Sequence, residues 1–198
     1  MTSLMTPQSA PITIVSGLPR SGTSMMMKML EAGGLPVYQD GLRVADADNP
    51  KGYYEAERVK DLARDASWLG EARGSAIKII SSLLTYLPPD LGYKIIFMRR
   101  ELPEVLASQQ TMLERSGHPP GEASDEVMAA KFSIHLRKIA KFLHETGWQV
   151  LDIKYAEVIA DAAGQAARVN AFLGGALDEQ KMIQVVDNSL YRQRRLSG

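Results

Sequence analysis

The segment Gly17-Leu-Pro-Arg-Ser-Gly-Thr-Ser24 constrains this chain more than any other stretch. The β-branched run Ile12–Val15 precedes it, and a helical pattern from Thr23 to Leu30 follows, stopping at Gly33-Gly34. Strand, glycine-rich turn and helix in that order make an anion cradle. Glycines let the chain turn tightly, backbone N–H groups converge, and the helix N-terminus adds positive potential. The spacing is that of a Walker A loop, but Thr23 stands where such a loop has its lysine. An ordinary ATPase needs that lysine at the β- and γ-phosphates. Arg20 supplies a charge from within the loop instead, on a planar fork suited to phosphate or sulfonate. Thr23 and Ser24 add hydroxyl donors.

The rest of the chain alternates in the same way. Apolar runs at Ser75–Ile80, Tyr93–Met98 and Trp148–Ile153 read as further strands. Helical patterns cover Glu55–Leu69, Leu102–Leu113 and Asp125–His144, the last with Met128, Phe132, Leu136, Ile139 and Leu143 on one stripe. Residues 35–53 and 116–124 are rich in Gly, Pro and polar residues and read as loops. Near-continuous apolar strands between helices imply an α/β fold: a three-layer P-loop domain with a central, mainly parallel sheet flanked by helices. Residues 11–198 are expected to form that single domain behind a flexible tail, residues 1–10. Ligands of such sheets bind beyond the carboxyl ends of the strands.

Composition narrows the function. With 23 basic and 23 acidic residues the formal net charge is zero, so no global field draws the chain to nucleic acid or to an anionic membrane. Any anion site has to be local. The absence of cysteine excludes disulfides, thiolate metal sites and cysteine nucleophiles. The first residues lack the basic and apolar regions of a secretory signal, and no run is long enough to span a bilayer. A cytoplasmic location is the expectation, and nothing in the sequence indicates an oligomeric state.

A second anion feature follows the third strand. Lys94-Ile-Ile-Phe-Met-Arg-Arg100 ends in two arginines, and Ser108 lies about two turns into the helix that follows. A strand-end arginine and a helical serine can meet on one phosphate if the helix folds back along the sheet.

Together the two segments resemble the nucleotide-binding pair of PAPS-dependent sulfotransferases. Pro19-Arg-Ser-Gly-Thr-Ser24 is similar to their 5′-phosphosulfate loop. Lys94–Ser108 is similar to their 3′-phosphate segment, in which an arginine precedes a serine by eight residues; that spacing selects Arg100 over Arg99. Asn49-Pro-Lys-Gly-Tyr-Tyr-Glu55, Tyr155-Ala-Glu157, Phe172-Leu-Gly174 and Asp187-Asn-Ser-Leu-Tyr-Arg192 extend the resemblance to bacterial members. It implies that Pro19, Arg20, Ser21, Gly22, Thr23 and Ser24 hold the 5′-phosphosulfate of PAPS, that Arg100 and Ser108 hold the 3′-phosphate, and that Tyr155 contacts the adenine. The product would be PAP. Two positions depart from the cytosolic pattern: Met25 replaces a tryptophan that stacks on adenine, and Ile80 replaces the histidine base that follows Lys78 by two residues.

Sulfuryl transfer makes demands like those of phosphoryl transfer: in-line attack, a loose transition state, and charge gathering on the leaving phosphate. Arg20 and Lys78 are the candidates to stabilise that charge. No metal is required, and no ligand cluster is visible. The hydroxyl or amine of a small-molecule acceptor has to lose a proton, and Glu55, at the junction of the long loop and a helix, is the candidate base. Asp46, Asp48 and His118 are alternatives; His135 and His144 lie on the long helix as surface or core-edge residues. Two other readings compete. One is a small-molecule kinase of the P-loop class, the other a nucleotide-binding protein without catalysis.

Overall fold

The computed structural model describes residues 10–38, 54–117 and 123–186. Expectations attached to residues 1–9, Asp46, Asp48, residues 49–53, His118 and Asp187–Arg192 fall outside them.

Four strands, β1 (Ile12–Gly17), β2 (Ala76–Lys78), β3 (Tyr93–Arg99) and β4 (Gln149–Lys154), form one sheet in the order β2-β1-β3-β4. Every neighbouring pair is parallel, with Val15 opposite Lys78, Gly17 opposite Met98, and Arg99 opposite Lys154. The described helices are α1 (Thr23–Ala32), α2 (Leu102–Arg115), α3 (Asp125–Thr146), α4 (Tyr155–Ala160), α5 (Ala162–Leu173) and α6 (Glu179–Gln184).

The period-two alternation of the strands sorts the core into two layers. Ile12 and Ile14 face Ile77, Ile79, Ile95 and Phe97 on one side, closed by Ile139 and Leu143 of α3 and by Trp68 and Leu69. Val15, Ile96 and Met98 face the other way, onto Met26, Met27, Met29 and Leu30 of α1 and onto α4, α5 and α6. Helical segments therefore cover both faces of the sheet, and β1 is buried throughout. The chain leaves β1 towards β2 and then returns to the other side of β1 for β3. The strand order reverses there, and crevices of α/β sheets open at such points.

Three elements differ from the sequence reading. The helix expected over Glu55–Leu69 is two 3₁₀ stretches, Glu57–Asp61 and Ser67–Ala72. Asp65 explains the break: its Oδ1 accepts bonds from Ser67 N at 2.9 Å and Ser67 Oγ at 2.6 Å, a local turn that competes with helix. The strand expected over Ser75–Ile80 is confined to Ala76–Lys78, because a 3₁₀ turn begins at Ser81. β4, read as buried on both faces, is an edge strand with Gln149, Asp152 and Lys154 exposed.

His135 does more than sit at a core edge. Its Nε2 lies 2.8 Å from Oγ of the buried Ser81, joining α3 to the turn after β2. Burial, then the charge of Lys138, hold its imidazole below the ordinary range. The unfolded chain therefore takes up this proton first as pH falls. Its contribution is intact above the ordinary imidazole value of about 6.5 and is lost as pH drops through and below it. His135→Gln is expected to flatten the decline in urea midpoint between about pH 7.5 and pH 5.5. An unchanged slope in the variant would remove His135 from the account.

Candidate functional site

All four strands deliver a candidate site residue at or just beyond their carboxyl ends. The loop Gly17–Ser24 leaves β1, Lys78 ends β2, Arg100 follows β3, and Tyr155 follows β4.

The loop enters α1 through Gly22, which has φ 99°. A Cβ on Gly22 would run into Cδ2 of Tyr155, so the position demands glycine for space as well as for its backbone. No side chain caps α1, and its first turn carries no acid. The first N–H groups of any helix have no intrahelical acceptor, so this end keeps its positive potential. Among the described residues, the buried side-chain polar atoms without a hydrogen-bond partner are Ser16 Oγ and Ser21 Oγ. One immediately precedes the loop and the other lies within it. A buried hydroxyl left without a partner costs about 1–3 kcal/mol. An anion on the loop would accept from the helix N-terminus and from the Ser21 hydroxyl within the loop, so the residues present fit a phosphate- or sulfonate-bearing ligand. Pro19 is exposed on the loop, Thr23 is buried, and Met25 is half-buried against the α1 side of the core.

Arg20 is the one described non-glycine residue with positive φ, at 70°. For a side-chain-bearing residue that conformation costs about 1–2 kcal/mol. Two contacts from the second anion segment hold it. Its carbonyl accepts a bond from Arg100 Nη1 at 3.0 Å, and its Nε donates to Ser108 Oγ at 3.0 Å. The structure thus joins Arg20, Arg100 and Ser108, which lie 80 and 88 residues apart in sequence. Arg99 is instead paired with Asp152 at 2.6 Å and lies over the ring of Phe97.

Arg100 is held in turn. Its Nε donates to Glu104 Oε2 at 2.9 Å, and its guanidinium carbon lies 4.6 Å from the ring centre of Tyr155. The side chains of Arg100 and Glu104 are 8% and 7% exposed, so this ion pair is buried. Tyr155 is buried as well, packed against Arg100 and Gly22. Beside them an open cleft of about 610 Å³ is lined by Arg100, Glu104, Arg99, Asp152 and Glu157, among others.

Across the loop a second pair forms. Lys78 Nζ donates to Glu55 Oε1 at 2.7 Å and to Ser24 Oγ at 3.3 Å. Lys78 is 7% exposed and Glu55 30%. The neighbouring Tyr54 donates its hydroxyl to Glu31 Oε2 of α1 at 2.6 Å. Burial, then that carboxylate, push the Tyr54 hydroxyl above the ordinary tyrosine range, so it remains a donor and anchors residues 54–56.

Sequence reading missed Glu104, Ser16 and the direct pairing of Glu55 with Lys78. The four-residue step from Arg100 to Glu104 was a usable signal. Nothing in the sequence marked Ser16 as an unpartnered hydroxyl. No three His, Asp or Glu side chains gather as a metal centre among the described residues, and none of the described helices is long and apolar enough to cross a membrane.

The chain matches no protein-family profile and no curated protein sequence. Its fold does match solved structures. The sulfotransferase domain of the Synechococcus PCC 7002 olefin synthase superposes with a TM-score of 0.56 at 14% identity, over 96% of this chain and 90% of that one. A sulfotransferase from Alicyclobacillus acidocaldarius gives 0.52 at 18% identity, over 85% and 84% of the two chains. A mouse sulfotransferase complexed with PAP gives 0.53 at 15% identity, over 90% of this chain and 66% of the mouse protein.

Proposed function

We propose that this chain, which shares its fold with sulfotransferases, transfers a sulfuryl group from PAPS to a hydroxyl or amine of a small-molecule acceptor. One observation carries the reading: the loop arginine, Arg20, is held at both its carbonyl and its side chain by Arg100 and Ser108 of a second anion segment. A second cationic segment joined to the loop suits a nucleotide phosphorylated at both its 5′ and 3′ positions. The PAP carried by a fold neighbour, the uncapped end of α1 and the unpartnered Ser21 hydroxyl within the loop add support.

In this reading residues 19–24 hold the 5′-phosphosulfate, with Arg20 the principal cation, and Arg100 and Ser108 hold the 3′-phosphate. Tyr155 acts on the nucleotide through Arg100 and the loop, because its ring is committed to them. PAPS supplies a sulfuryl group already activated as an anhydride with phosphate. Arg20 and Lys78 then stabilise negative charge from opposite sides of the loop, each pre-oriented by a side-chain partner, so little reorganisation is needed during reaction. Glu55 serves as the acceptor's base. Its pairing with Lys78 holds the carboxylate at the loop.

Glu55→Gln is expected to lower turnover by about a hundredfold while PAP affinity stays within about twofold, because the amide still accepts from Lys78. Wild-type turnover in that variant would eliminate Glu55 as base. The reading as a whole is tested by thermal shift with PAP, ATP and ADP, and by sulfate transfer from PAPS to a panel of phenols, alcohols, sugars and amines. Stabilisation by ATP but not PAP would favour a kinase, and PAP binding without transfer would favour a non-catalytic binding protein.

A further inference from the structure

Glu104 lies in the first turn of α2. An acid there is an ordinary partner for the helix dipole, but this one is 7% exposed and paired with an arginine at 8%. A carboxylate taken out of water needs a partner, and replacing a buried ion pair by apolar side chains is often neutral or stabilising. Stability alone is therefore a poor account of the pair. The geometry it imposes is a better one. Arg100 Nε is fixed on Glu104 at 2.9 Å, its Nη1 on the Arg20 carbonyl at 3.0 Å, and its flat face on Tyr155 at 4.6 Å. These partners come from the elements following β3, β1 and β4. A planar fork recognises phosphate through its orientation, unlike the point charge of lysine. The bond at Nε restrains rotation about the long axis of the side chain, which the contact at Nη1 alone leaves open.

We infer that Glu104 is a positioning residue: it fixes the plane in which Arg100 presents its fork, and so sets the preference for a nucleotide with a 3′-phosphate over one without. The inference rests on the nucleotide reading above. Two substitutions separate geometry from charge. Glu104→Asp keeps the charge but withdraws the carboxylate by one methylene. Glu104→Gln keeps an acceptor at the same reach and removes the charge.

The experiment is calorimetric titration of wild type and both variants with PAP and with adenosine 5′-phosphate, alongside thermal melts to show that each is folded. Positioning predicts that Glu104→Asp loses about tenfold in PAP affinity, the scale of one charge-assisted hydrogen bond, with adenosine 5′-phosphate unchanged. Glu104→Gln is expected to stay within about threefold of wild type for PAP. A purely structural role would move both nucleotides together. Wild-type discrimination in Glu104→Asp, or an equal loss in Glu104→Gln, overturns the inference. If wild type itself binds PAP no better than adenosine 5′-phosphate, the nucleotide reading fails first, and the wild-type titration alone reveals it.

Discussion

Replacing Arg20 by alanine is expected to lower sulfuryl transfer by about two to three orders of magnitude, the usual scale for removing a preorganised donor at developing charge. PAP binding should weaken in parallel. Arg20 brings the loop's own guanidinium, and its side chain ends on Ser108. Its backbone complicates the experiment, since at φ 70° alanine is strained too. Arg20→Gly removes that strain and serves as the control. If the guanidinium matters, the alanine and glycine variants lose turnover equally although the glycine variant is the more stable. Unchanged PAP affinity by calorimetry in both would show that the loop assignment is wrong.

The second large effect falls on folding. Gly22→Ala introduces a side chain at φ 99° and drives it into Tyr155. Backbone strain and overpacking together are expected to remove about 2–4 kcal/mol of stability. Gly34 separates the two contributions: it has φ 96° and open space where its Cβ would go. Gly34→Ala should therefore show the backbone part alone, about 1 kcal/mol. Urea unfolding measures both. Equal losses at the two positions would mean that Tyr155 is not what excludes a side chain at Gly22.

The loop and the sheet were legible because each depends on local pattern. Ile12–Val15 before Gly17 reads as a strand entering a turn, and the structure has β1 there. The parallel layers follow from apolar runs separated by helical ones. Tertiary relations were less accessible. The sequence offers Glu55 and Lys78 as separate candidates, 23 residues apart, and nothing local states that they pair at 2.7 Å. Asp65 defeated a helical pattern by bonding to Ser67, a competition that apolar periodicity does not register. The eight-residue spacing pointed to Arg100, but that its guanidinium is buried against Glu104 and Tyr155 depends on how the neighbouring strands β3 and β4 bring the starts of α2 and α4 together.

The strand order also bears on when the site comes into being. β1 occupies the interior of the sheet, and its longer pairing is with β3, which begins at Tyr93. The loop on β1 leaves the ribosome before the contacts that hold Arg20, which arrive 80 and 88 residues later. At about 5–20 residues per second that is a delay of several seconds. Throughout it the nascent loop lacks the partners that hold Arg20 in its left-handed conformation. The proposed nucleotide would therefore meet no finished site until α2 has emerged and docked, so it could reward completion of the fold but not seed it.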